Sequence, residues 1–73
     1  MATMSHPTGV DQIGETAGTV WRVLAEQGPL SLAKLVKETD LHRDLVMQAI
    51  GWLAREDKVT IEEEARAKVV YLR

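Results

Sequence analysis

The spacing of apolar residues along the 73-residue chain changes once, after Lys58. Before this point apolar residues recur every three or four positions, the spacing that gives an α-helix one apolar face. After it, the segments VTIEE and AKVVYL alternate in polarity, as half-buried strands do. The sequence therefore predicts a mainly α domain in which three helices precede a small β-hairpin.

Three helices are predicted over residues 8–27, 31–39 and 42–57. Gly28 and Pro29 end the first, because glycine adopts the left-handed conformation at helix ends and proline cannot continue a helix. Ser31 is a residue type that caps helix N-termini well, so it starts the second. The apolar faces consist of Val10, Ile13, Ala17, Val20 and Leu24 in the first helix, Leu32, Leu35 and Val36 in the second, and Val46, Ala49, Ile50 and Leu53 in the third.

The two alternating segments, joined across residues 64–66, leave the pairing of the hairpin open. Val59 and Ile61 are predicted to point toward the core, because alternate side chains of a strand leave on opposite faces. Leu30 lies just before the second helix and is able to add a short third strand, so the sheet has two or three strands. The core-facing residues of the last strand are either Val70 and Leu72 or Val69 and Tyr71.

A chain of this length builds only a small core. Residues 1–8 are polar and interrupted by Pro7, so we predict a disordered tail before a domain at residues 9–73. Small domains are usually reinforced by disulfides, a metal or oligomerisation. Cysteine is absent, which excludes disulfides and thiolate metal sites. A homodimer is therefore expected, and no cofactor is.

Several function classes are not supported by the residues. No apolar run reaches the length of a membrane span and no leader opens the chain, so we expect a cytoplasmic protein without a membrane partner. The histidines His6 and His42 are far apart, and there is no cysteine nucleophile or glycine-rich phosphate loop. The consecutive glutamates at 62–64 leave a strand on alternate faces and make a poor carboxylate pair. We expect neither catalysis nor a metal site.

The order helix, short helix, tight turn, helix and hairpin is that of a winged helix-turn-helix. The stretch LAKLVKETDLHRDLVMQAIGWLAREDKV carries this resemblance, with Leu35 opening the two-helix unit and Leu41 filling its turn. IGETAGTVW together with AIGWLAREDKV resembles a family of small stand-alone bacterial and archaeal winged-helix proteins, largely uncharacterised. The resemblance implies a regulatory role and homodimers, with no established ligand. His42 stands where the fold often has Ser or Thr; it caps poorly, so the third helix is expected to start at Asp40 or to fray.

Double-stranded DNA is one expected partner. A helix-turn-helix inserts the start of its third helix into the major groove, where Arg43 suits a guanine edge and Gln48 an adenine edge. Residues 42–57 contain two positive and three negative side chains, which gives a net charge of −1. Residues 58–73 contain four positive and three negative side chains, which gives a net charge of +1. Neither attracts phosphates strongly, and the whole chain has a net charge of −2. The candidate DNA-binding residues are Lys34, Lys37, His42, Arg43, Met47, Gln48, Arg66 and Lys68, with Asp44 beside them.

Gly51 and Trp52 are consecutive inside the third predicted helix. A glycine at such a position lowers the stability of the helix by about 1 kcal/mol relative to alanine. Leu45, Ala49 and Trp52 form a second apolar stripe on that helix. One interpretation is that Trp52 packs beneath the first helix within one subunit. The other is a two-fold dimer, in which small residues allow close approach and tryptophans supply buried area. Its predicted interface consists of Gly14, Gly18, Trp21, Leu45, Gly51 and Trp52.

The sequence is consistent with two functions. The first is a dimeric, transcription-regulator-like module that places two third helices on DNA about one helical turn apart. The second is a protein-interaction module with a winged-helix fold that does not bind DNA. The first function requires Lys34 and Lys37 for binding DNA. The second depends more on Met47, because methionine suits an adaptable protein surface.

Overall fold

A computed structural model describes residues 9–65 and 67–73, and it contains the predicted helices and hairpin in the predicted order. The predicted tail at residues 1–8 and the predicted start of the first helix at Thr8 lie outside the described residues. Leu30 does add the short third strand. The elements are α1 (Gly9–Gln27), β1 (Leu30–Ser31), α2 (Leu32–Thr39), α3 (Arg43–Arg55), β2 (Val59–Glu64) and β3 (Ala67–Leu72).

The core lies where the three helices meet one face of the sheet. The predicted apolar faces supply it: Val20 from α1, Leu35 from α2 and Val46 from α3 are completely buried. Val59 and Val70 close the core from the sheet. Val10 was predicted to belong to the apolar face of α1, but it is 63% exposed. Among residues 9–65 and 67–73, the buried apolar side chains are those of Ala17, Val20, Leu24, Leu32, Leu35, Val46, Ala49, Ile50, Leu53, Val59 and Val70.

The sheet is antiparallel with strand order β1-β3-β2, and its register decides which face each residue takes. Val59 pairs with Leu72 and Ile61 pairs with Val70, so these residues share the core side of the sheet. Val70 and Leu72, rather than Val69 and Tyr71, are therefore the core-facing pair. Ile61 thus points to the core side of the sheet, as predicted, but it is not buried. Its side chain is 40% exposed, because the space between it and α3 is an open crevice.

Both ends of α3 differ from the prediction. The helix begins at Arg43, later than either predicted start, because Asp40 is left-handed with φ 58° and the backbone of His42 is extended with ψ 138°. His42 is the N-cap residue, and its side chain makes no capping hydrogen bond. At the other end Asp57 has φ 62°, which stops the helix at Arg55 rather than Asp57. The N–H of Asp57 donates to Ala54 O at 3.0 Å and that of Lys58 to Leu53 O at 2.9 Å, closing a Schellman motif.

Asp40 forms the turn between α2 and α3. Its N–H donates to Val36 O at 3.0 Å, and its backbone has φ 58° and ψ 36°. A residue with a Cβ is strained by roughly 1–2 kcal/mol in this conformation, less so for aspartate and asparagine than for other types. The connection of the two helices therefore rests on a left-handed residue that is not glycine.

We expect Asp40→Gly to raise the free energy of unfolding by up to about 1 kcal/mol. The released strain exceeds the extra unfolded-state entropy of glycine, which is roughly 0.4–1 kcal/mol. Thermal unfolding followed by circular dichroism, at one protein concentration, measures the change. Asp40→Asn is the control, since it removes the charge and keeps the tolerance for positive φ, and it should leave the melting temperature unchanged. A lower melting temperature for Asp40→Gly would contradict this account of the turn.

Candidate nucleic-acid interface

The exposed side of α3 carries the residues predicted to face a DNA groove. Val46, Ala49, Ile50 and Leu53 are buried, which fixes the rotation of the helix against the core. The opposite side is thereby turned to solvent. His42, Arg43, Asp44, Met47 and Gln48 are all exposed there.

Two of the predicted phosphate contacts take part in ion pairs. Lys34 Nζ lies 3.8 Å from Glu38 Oε2, and Glu38 also accepts a hydrogen bond from Gln27 Nε2 at 2.8 Å. Lys68 Nζ lies 3.3 Å from Glu63 Oε2. The two lysine side chains are 51% and 47% exposed, and ion pairs at this exposure contribute little to stability. Both ammonium groups therefore remain available to another anion.

Two other cations have no ion-pair partner within residues 9–65 and 67–73. Lys37 is exposed near the end of α2, and Arg43 is exposed at the first position of α3. Arg66, the remaining predicted phosphate contact, lies outside the described residues. Positive charge without an internal partner is thus present on both helices of the helix-turn-helix.

Arg43 and Lys68 line one pocket of about 200 Å³, which we call the cationic pocket. Its other walls come from the start of α2 and from the hairpin. The N–H of Lys34 donates to Ser31 Oγ at 3.1 Å, which caps α2 as predicted. Folding thus brings the start of α3 and the hairpin to the same place. The lining residues are Ser31, Leu32, Ala33, Arg43, Ala67 and Lys68.

A second concave surface, the α3–wing crevice, adjoins the cationic pocket and has a volume of about 200 Å³. Met47 and Ile61 are 41% and 40% exposed at this crevice. The crevice shares two lining residues, Leu32 and Lys68, with the cationic pocket. Apart from Lys68, its lining carries no charged side chain. The lining residues are Leu32, Met47, Ile50, Gly51, Ile61, Lys68 and Val70.

The tryptophans lie elsewhere, at a groove between α1 and α3 that we call the α1–α3 groove. Its volume is about 290 Å³, and Trp21 and Trp52 are 44% and 38% exposed. Trp52 is therefore incompletely covered by α1 within one copy. The lining residues are Gly14, Ala17, Gly18, Trp21, Trp52, Leu53, Glu56 and Lys58.

The predicted dimer residues do not all meet at this groove. Gly51 lines the α3–wing crevice instead, and Leu45 is half-buried and not part of either lining. Ala49, the middle of the predicted second stripe, is completely buried. Apart from the chain neighbours and the backbone of the same helix, no atom lies within 4 Å of a Cβ built at Gly14, Gly18 or Gly51. The packing of one copy therefore does not require glycine at these three helical positions.

The outer face of the hairpin carries a contact that the sequence did not predict. The Tyr71 hydroxyl donates a hydrogen bond to Glu62 Oε2 at 2.7 Å. This bond to a carboxylate, with smaller effects of partial burial and of the Glu62 charge, raises the pKa of Tyr71. The two residues are diagonal neighbours, since Tyr71 pairs with Thr60. Only the strand register could have identified the pair.

Within the described part of the chain, no three His, Asp or Glu side chains lie close enough together to hold a metal ion. None of the described helices combines the length and the hydropathy that crossing a membrane requires.

A helix-turn-helix followed by a hairpin beside its third helix defines the class of winged helix-turn-helix domains. The chain belongs to the family described as Winged helix-turn-helix domain (DUF2582), whose model matches residues 7–72. The predicted fold class and family resemblance are thereby confirmed.

Three proteins are similar to this chain in sequence or in fold. An uncharacterised protein of Methanocaldococcus jannaschii, MJ1608, is 38% identical, and the match covers 85% of this chain and 91% of that protein. The solution NMR structure of protein BT2368 from Bacteroides thetaiotaomicron has a TM-score of 0.80 and 34% identity, covering 89% of this chain and 79% of that one. A solved structure concerning the DNA recognition and protein interaction domains of HOP2 has a TM-score of 0.67 and 28% identity. It covers 80% of this chain and 98% of that one.

Glu62→Gln is expected to lower the pKa of Tyr71 toward the ordinary value for tyrosine, because it removes the carboxylate that accepts the hydroxyl hydrogen bond and, with it, the charge that opposes the tyrosinate. Tyr71 is the only tyrosine of the chain, so the ultraviolet absorbance of tyrosinate reports on it directly. Glu64→Gln is the matched control, since Glu64 raises this pKa only through its more distant charge. Equal shifts in the two variants would contradict the hydrogen bond.

Proposed function

We propose that this domain binds double-stranded DNA, with α3 in the major groove and the hairpin against the sugar-phosphate backbone. The observation that carries the proposal is the cationic pocket, where Arg43 of α3 and Lys68 of the hairpin lie together beside the exposed face of α3. The fold is one that binds DNA in other proteins, and HOP2, a similar structure, is described in terms of DNA recognition. The proposal includes no catalytic step.

The roles of individual residues follow from their positions. Arg43 and Gln48 are exposed on α3, where a guanidinium suits the O6 and N7 of guanine and an amide suits adenine. Lys34 and Lys37 on α2 and Lys68 on the hairpin contact phosphates. The contacts of Lys34 with Glu38 and of Lys68 with Glu63 are exposed and weak, so they exchange for phosphate oxygens.

Binding of this kind depends strongly on salt, because each phosphate neutralised releases condensed counterions. We expect Lys37→Ala to weaken binding to a random-sequence duplex and to reduce the slope of log affinity against log salt by about 0.9. Fluorescence anisotropy of a labelled duplex over a series of salt concentrations measures both quantities.

Arg22→Ala is the matched control for Lys37→Ala. Arg22 is exposed on α1, away from the cationic pocket, and the substitution removes the same charge from the chain. It should leave the slope unchanged. Two results would count against DNA as the partner: equal effects of the two substitutions, or no NMR shifts on α3 and the hairpin when duplex is added at low salt.

The proposal extends to a homodimer joined at the α1–α3 groove, in a transcription-regulatory role in the cytoplasm. Two partly exposed indoles, Trp21 and Trp52, supply apolar area at the groove. Gly14 and Gly18 have open space above them, so a second helix is able to approach α1 closely. A two-fold pair of winged helices would present two copies of α3 to successive turns of DNA.

The dimer predicts a melting temperature that rises with protein concentration, because association stabilises only the folded state. Gly18→Ala is expected to remove that dependence while stabilising the single copy by roughly 1 kcal/mol, the advantage of alanine over glycine within a helix. Gly51→Ala, at an equally open helical position outside the groove, should give the same stabilisation and keep the dependence. A concentration-independent melting temperature for the natural sequence, with the mass of one chain in solution, would contradict the dimer.

A protein-interaction module that does not bind DNA is the second candidate function. The exposure of Met47 and Ile61 at the α3–wing crevice favours it, because an apolar crevice also suits the side chains of another protein. Under this alternative, Met47→Ala weakens the complex with that protein and Lys37→Ala has little effect.

A further inference from the structure

We infer that the α3–wing crevice accepts the C5 methyl group of thymine, so that the preferred DNA site carries a thymine beside Met47. This inference rests on the proposed function, and it assigns a base preference to a part of the surface that is apolar rather than charged.

The crevice presents apolar side chains where α3 faces solvent. Met47 and Ile61 form its exposed rims, and Leu32, Ile50 and Val70 line it more deeply. In the major groove, base pairs offer hydrogen-bond donors and acceptors and one kind of apolar group, the C5 methyl of thymine. An apolar contact made from this side of α3 therefore has that methyl group as its complement.

The positive charges beside the crevice fit the DNA strand that carries the thymine. The cationic pocket shares Leu32 and Lys68 with the crevice, so Arg43 and Lys68 lie next to its apolar lining. The C5 position of a pyrimidine lies at the edge of the base nearest its own backbone in the major groove. A phosphate held by Lys68 and a methyl group held beside Met47 therefore fit one strand, and Arg43 remains available to a guanine edge.

Gly51 is consistent with close approach of a base at this position. It lines the crevice within α3, and apart from its chain neighbours and the backbone of its own helix, no atom lies within 4 Å of a Cβ built there. Glycine lowers the stability of a helix relative to alanine, so nothing within one copy favours it here. A bound base edge would occupy the space that a side chain would otherwise fill.

The test compares duplexes that differ only in that methyl group. The best-bound duplex is first selected from a random pool, and its thymines are then replaced one at a time by uracil, which keeps the same hydrogen-bonding edge. We expect one or two positions at which uracil weakens binding about three- to fivefold, the size expected for one buried methyl group. Met47→Ala should abolish this discrimination.

Gln48→Ala is the control, since Gln48 is exposed on α3 but is not part of the crevice lining. It should weaken binding to the thymine and uracil duplexes by the same factor. Tight binding with equal affinity for both duplexes overturns the inference and leaves the proposed function intact, as does discrimination that survives Met47→Ala. Failure to bind any duplex of the pool at low salt overturns both.

Discussion

The packing of α3 against α1 decides what every other surface of this domain presents. Ala49 and Val46 of α3 are completely buried, and so is Val20 of α1, which leaves the helix no freedom to rotate. Because successive residues of a helix are about 100° apart, fixing the buried side fixes the others. Met47 is thereby directed to the hairpin side and Trp52 to the α1 side. The two candidate surfaces are consequences of one apolar contact.

The elements of the fold could be predicted from local chemistry, whereas their exact ends could not. Helical spacing and a cap at Ser31 were sufficient for α2, and Gly28, with φ 83°, ended α1 as its residue type predicts. The end of α3 was missed because Asp57 takes the left-handed conformation that usually indicates glycine. The exposure of Ile61 was missed for another reason: alternation specifies the face of a strand, and not what lies opposite that face.

The candidate site could be predicted only where it depends on one helix. Arg43, Met47 and Gln48 share the exposed side of α3, as helical spacing predicts. The meeting of Arg43 with Lys68 depends on where the hairpin lies, which the sequence left open between two pairings. Conversely, residues that are adjacent in sequence do not always share a surface. Gly51 and Trp52 are consecutive, yet they line different surfaces, since one helical step separates their directions.

The net charge of −2 says less about binding than the positions of the charges do. Glu62 is on the outer face of the hairpin, bonded to Tyr71, and Asp57 forms an ion pair with Arg73 at 2.8 Å beyond the end of α3. Among the proposed DNA-binding residues, Lys68 is paired with Glu63 at 3.3 Å, Lys34 is paired with Glu38 at 3.8 Å, and Arg43 is followed in sequence by Asp44. The electric fields of such closely spaced opposite charges cancel beyond about a Debye length, roughly 8–10 Å. In the proposed complex with DNA, long-range attraction is therefore weak, and the proposal assigns affinity to contacts made at short range, where shape and apolar complementarity discriminate between sequences.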